Sequence, residues 1–155
     1  MKWKIAIGLI SVVLLITLIG TGIYQLTVGE AKGREQEVVK RAEKRLTQEI
    51  APDAVTFENV FNGKDQYTVF SIKKEGEALR AFVPSKGKIE TRPVKDGIKV
   101  DEVIRQSRDQ GKIVSTKYGF EDRALIEIVA ETETGYEYSY YTYQEGSFIK
   151  RLRIN

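Results

Sequence analysis

The sequence predicts an α+β protein in which an N-terminal transmembrane helix precedes two tandem helix-plus-antiparallel-sheet units. Three observations carry this expectation. Ile5 to Gly29 contains no charged residue. Val39, Ala42, Leu46 and Ile50 then recur at three- and four-residue spacing, the period of a helix with one apolar face. From Val55 onward the pattern changes to short β-branched and aromatic runs between turn residues, and the order of helix then strands occurs twice.

The charge-free run is long enough for a bilayer, whose hydrocarbon core needs about 20 apolar residues as helix. Gly8, Gly20, Gly22, Ser11, Thr17 and Thr21 are tolerable there because a helix satisfies its own backbone. Trp3 and Tyr24 bracket the run at headgroup level, which places the membrane contact over residues 5–24. A cleaved secretory signal fits less well, since its apolar part is shorter and Tyr24 to Lys32 offers no small-x-small site. Lys2 and Lys4 abut the run directly, whereas Gln25 to Gly29 is neutral, which favours an inside amino terminus and an extracytoplasmic domain.

The boundaries expected are residues 1–29 for the anchor, 30–94 for the first unit and 95–155 for the second. In the first unit the charged helix Glu30 to Ile50 stops at Ala51-Pro52, because the residue before proline resists helical geometry. Strands follow at Val55–Phe61, Tyr67–Ile72 and Leu79–Val83. Asn62-Gly63 marks the first hairpin through its tolerance of positive φ. A short fourth strand is expected around Ile89, and Arg92 to Gly97 reads as a linker. In the second unit a helix from Lys99 to Gln110 ends at Gly111, and strands follow at Ile113–Phe120, Ala124–Glu131, Tyr136–Tyr143 and Phe148–Ile154. A shift of 59 lays Gly76 on Gly135, Phe82 on Tyr141, Gly87 on Gly146 and Ile89 on Phe148. Lys150, Arg151 and Arg153 suit the protection of an exposed sheet edge.

Charge and composition narrow the function. Of 25 basic residues, Lys2 and Lys4 precede the apolar run, leaving 23 against 22 acidic ones. A balance this close is no nucleic-acid footprint, so no nucleic-acid partner is expected. The chain has no His and no Cys, which removes the common general base, the thiol nucleophile and the usual zinc ligands. Ser85-Lys86-Gly87-Lys88 matches S-x-x-K, but S-D-N and K-T-G are absent and the match falls on an expected turn. Asp101-Glu102, Glu121-Asp122, Glu131 and Glu133 lack the alternating pattern of a calcium loop. No catalytic residue, metal or cofactor is expected, and recognition remains as the function class.

The Leu79-Arg-Ala-Phe-Val-Pro84 run, the Tyr138-to-Lys150 ending and the helix-then-strands order resemble the tandem PepSY-like domains of TseB-like (YpmB-type) cell-wall elongation regulators of Gram-positive bacteria. The resemblance covers the whole chain. It implies a cystatin-like fold for each unit, an extracytoplasmic position, and action through an elongation-specific penicillin-binding transpeptidase. An inhibitor or chaperone of a secreted peptidase is the alternative, a role that PepSY-like domains at large imply. One departure is Lys99, where the second helix of such domains often opens with Ser or Thr, leaving Asp96 or Asp101 as the only capping candidates.

The aromatic run supplies the binding expectation. On a strand, Tyr136, Tyr138 and Tyr140 share one face and Tyr141 and Tyr143 the other. Both faces are core only if something covers the second. Tyr141 and Tyr143, with Phe82 and Pro84 and the neighbouring Arg80, are therefore expected to form a contact surface.

Overall fold

A computed structural model describes residues 33–107 and 111–154. The expected anchor lies outside these residues, and no helix among the described residues is long and apolar enough to cross a membrane. The chain divides into two compact units, Met1–Val38 and Val39–Asn155, and the fold below concerns the second.

Helix α1 covers residues 33–50, and from Val39 onward it turns an apolar stripe onto a sheet. Ala42 and Leu46, flanked by Val39 and Ile50, pack on Phe70, Ile72, Ala81 and Val83. The helix ends where expected. Ala51 adopts a positive φ of 49° and returns its N–H to the Thr47 carbonyl, while the Lys74 ammonium donates to the Ile50 carbonyl at 2.8 Å. A cation and a left-handed residue together satisfy carbonyls that a helix end leaves open.

The first sheet has strands β1 (Ala54–Asn62), β2 (Gln66–Lys74), β3 (Glu77–Pro84) and β4 (Glu90–Pro93), paired in chain order and antiparallel throughout. A turn of 3-10 helix, Val94–Asp96, leads to helix α2 (Val100–Gln106). The second sheet repeats the meander with β5 (Lys112–Phe120), β6 (Ala124–Thr132), β7 (Gly135–Thr142) and β8 (Phe148–Ile154). Val103 is the buried anchor of α2 and meets Ile126, Ile128 and Tyr141 on this second sheet. An α+β protein with a helix and two antiparallel four-stranded sheets is thus what the chain forms.

Several expectations need correction. The segment read as a linker begins inside β4 and contains the 3-10 turn, so the fourth strand expected around Ile89 starts at Glu90 and runs on through Arg92 and Pro93. Helix α2 stops at Gln106, because Ser107 turns to extended geometry while its N–H and hydroxyl bond the Val103 and Ile104 carbonyls. Gly111 is therefore not its cap. At the other end Lys99 occupies the N-cap position with no side-chain hydrogen bond, so neither acidic candidate caps the helix. Gly63 has no positive φ. What it supplies is space, since a Cβ there would meet the Phe61 ring and the Glu121 carboxylate, and Gly119 is pressed by the same ring.

The repeat is real, but its offset is 58. Asn62 pairs with Gln66 as Phe120 pairs with Ala124, and Lys74 pairs with Glu77 as Thr132 pairs with Gly135. The glycines mislead because the two hairpins turn differently. Glu75 and Gly76 both have positive φ, as a primed two-residue turn requires, whereas the φ of 141° at Gly135 belongs to the first residue of β7. A one-residue slip exchanges the two faces of a strand, so Phe82 corresponds to Tyr140 rather than Tyr141.

Candidate functional site

The residues expected to form a contact surface are all in the interior. Phe82, Pro84, Tyr141 and Tyr143 are buried, Tyr143 to 1% exposure. Their cover comes from within the chain, which is the correction to the sequence reading. Tyr141 lies under α2, against Val103. Phe82 and Tyr143 meet edge to face at 6.3 Å between the two sheets, in a cluster with Val69 and Ala124.

The same seam holds a buried cation. A bulge between Phe57 and Asn59 turns Glu58 toward Arg80. Arg80 donates two hydrogen bonds to the Glu58 carboxylate, at 2.7 and 2.9 Å, and a third to the Tyr143 hydroxyl at 2.9 Å. Its guanidinium also lies 3.5 Å from the centre of the Tyr118 ring. Burial opposes the Arg80 charge, but the hydrogen bonds and charge of Glu58 more than offset it, so the pKa is raised. Burial likewise raises Tyr118 and Tyr143, while the adjacent Arg80 pulls each back in part. The Tyr143 hydroxyl reaches the Pro93 carbonyl at 3.2 Å. This constellation fixes one sheet on the other.

Asn59 completes the seam. Its carboxamide donates to the Tyr118 carbonyl at 2.8 Å and accepts from the Tyr118 N–H at 3.1 Å. One side chain thereby imitates a strand's peptide group and joins the edge strands β1 and β5. Among the described residues, no buried side-chain nitrogen or oxygen lacks a partner.

The remaining chemical candidates fall apart spatially. Ser85, Lys86, Gly87 and Lys88 are exposed in the β3–β4 connection, where Arg45 clasps the Pro84 carbonyl at 2.8 Å and also the Gly87 carbonyl. Of the acidic candidates, Glu121 pairs with Lys150 at 2.8 Å and Asp122 with Lys64 at 3.7 Å, so even these neighbours serve different cations. No cluster of potential metal ligands occurs among the described residues. Tyr140 is raised by burial and then by the neighbouring Glu127 carboxylate.

What sequence reasoning missed is the open face on the other side of β7. Tyr140 is covered through its cluster with Phe61 and Leu125, and Tyr138 only partly. Tyr136 is 46% exposed, and on the adjoining strand Leu152 and Ile154 are 50% and 58% exposed. Register places these together, since Tyr136 pairs with Ile154 and Tyr138 with Leu152. Phe148 and Ile149 are exposed at the start of the same strand. The signal was in the sequence, in a final strand that alternates large apolar residues with cations.

No protein-family model matches the chain. None of the curated proteins matches it either. Among solved structures the chain is similar to the YpmB protein from Bacillus subtilis, with a TM-score of 0.64 and 27% identity over 74% of this chain and 96% of that one. The fold is YpmB-like.

Proposed function

We propose that the protein is a membrane-anchored extracytoplasmic binding module that regulates cell-wall elongation, acting through a penicillin-binding transpeptidase. The observation that carries the binding part is the exposed apolar face of Tyr136, Leu152 and Ile154 on and beside β8, the edge strand of its sheet among the described residues. Exposed large apolar residues gathered in one patch mark interaction sites. Support for the cellular role is the likeness to the YpmB protein together with the charge-free run of residues 5–29, which suits an anchor. Confining module and partner to one membrane raises their effective concentration, so a small interface suffices.

The test is photo-crosslinking in living cells from single positions spread over the domain, including Lys64, Lys86 and Ile154, followed by mass spectrometry. A wall-synthesis transpeptidase as the main adduct is the expected result. A secreted peptidase as the main adduct would replace the wall reading with the inhibitor or chaperone reading.

A further inference from the structure

Among the described strands, the edges are not equivalent. β1 and β5 close on each other through Asn59, and β4 has only four residues, all half-buried, ending in a proline. β8 has seven residues and pairs with β7 alone, so one side of its backbone is unpaired by any strand. An unpaired strand edge is a template for an incoming strand.

Its two faces then state what that strand must be. On the face shared with Tyr136 and Tyr138, Leu152 and Ile154 stand exposed. On the opposite face, Arg151 and Arg153 both reach the carboxylate of Glu137, at 3.0 and 2.7 Å, and Arg151 also donates to the Ser139 hydroxyl. Arg153 is the more exposed of the two side chains, 71% against 27%.

A second copy of the chain does not fit this edge. Antiparallel pairing with Leu152 opposite Leu152 sets Arg151 opposite Arg153, and pairing with Leu152 opposite Ile154 sets Arg153 opposite itself. Parallel pairing in register sets every arginine against its own copy. Like charges directly opposite one another destabilise a strand pair.

Resting on the reading of the protein as a binding module, we propose that β8 docks an extended segment of a partner protein in which apolar and acidic residues alternate. The segment adds a fifth strand to the second sheet. Its apolar residues lie beside Leu152 and Ile154 and its carboxylates beside Arg151 and Arg153. Main-chain bonds supply affinity in this mode, and side chains on alternating positions supply selection. The charges that repel a copy of this edge are the ones that select the acidic strand.

The test uses the full chain in detergent micelles and two synthetic peptides, one alternating valine with glutamate and the other alternating valine with lysine. Fluorescence anisotropy measures affinity, and hydrogen exchange locates protected amides. The glutamate peptide is expected to bind more tightly than the lysine peptide and to slow exchange at Lys150 to Ile154. Arg153→Glu should weaken the glutamate peptide about fivefold and strengthen the lysine peptide by a similar factor, with Arg153→Gln between the two. Equal binding of the two peptides, or protection away from β8, would overturn the proposal. So would a concentration-dependent dimer protected at β8 without peptide. These outcomes are independent of the cellular crosslinks: an adduct with a transpeptidase formed through another face removes this docking edge and leaves the wall-elongation reading standing.

Discussion

The two sheets share a strand order and a 58-residue offset, and they differ at their last strands. β4 stops after four half-buried residues, and the chain leads on through the 3-10 turn into α2. β8 runs for seven residues with exposed Phe148, Leu152 and Ile154. The difference teaches that repetition here is architectural. One copy of the plan ends by handing the chain to the other, and the second ends in an open edge.

The strongest way to break the comparison is to cut the seam that makes the sheets one body. Arg80→Ala should destabilise residues 39–155 by about 3–5 kcal/mol, because it breaks a largely buried ion pair by removing one partner. The loss should appear as one cooperative transition in chemical denaturation. Two separated transitions, already in the parent protein, would show the sheets to be independent.

The helices sharpen it next. Leu46→Ala, beneath the first helix, should cost about 2–5 kcal/mol, and Val103→Ala, beneath the second, about 2 kcal/mol from two lost methyl groups. Hydrogen exchange should show either change weakening protection in both sheets. Protection lost in one sheet only would separate them.

Alkali tests the seam more gently. Tyr118, Tyr140 and Tyr143 all have folded pKa values raised above the ordinary 10.0. The unfolded chain therefore releases these protons first. Stability contributed by the neutral tyrosines is complete below about pH 10 and falls as pH rises through the folded values. Tyr143→Phe should shift the onset of alkaline unfolding, measured by circular dichroism against pH.

The smallest effect belongs to the open face. Leu152→Ser and Ile154→Ser should change stability by no more than about 0.5 kcal/mol, as exposed positions do. Tyr140→Ser, two positions along the same face of β7 from Tyr138, should cost several times more.

Strand by strand, much of this was legible. β-branched and aromatic runs between turn residues located seven of the eight strands, because strand formers and turn formers differ in chemistry over a few residues, whereas β4, Glu-Thr-Arg-Pro, carries no such run and reads in part as linker. The offset was misjudged by one because a glycine marks a need for backbone freedom or space, and that need fell at different points of the two hairpins. The binding face was misplaced for a longer-range reason. Alternation along β7 separated Tyr140 from Tyr141 correctly, but what covers each lies far away in sequence: Phe61 for one and Val103 for the other. The sequence pattern states that a face is apolar, whereas only the folded chain states which apolar face is left over.

The bonds at the seam also have a consequence for rate. Each meander joins neighbours across short turns, but Asn59 meets Tyr118 across 59 positions and Arg80 meets Tyr143 across 63. Contacts between distant positions are slow to form because the chain between them must first be ordered. The sheets are therefore expected to dock after the folding barrier, with the Asn59 bonds among the contacts made then. Contacts made after the barrier hold the native state against opening and do little for its formation. Asn59→Ala should accordingly leave the refolding limb of a chevron plot in place and raise the unfolding limb, so that this one carboxamide sets how long the folded protein lasts rather than how quickly it forms.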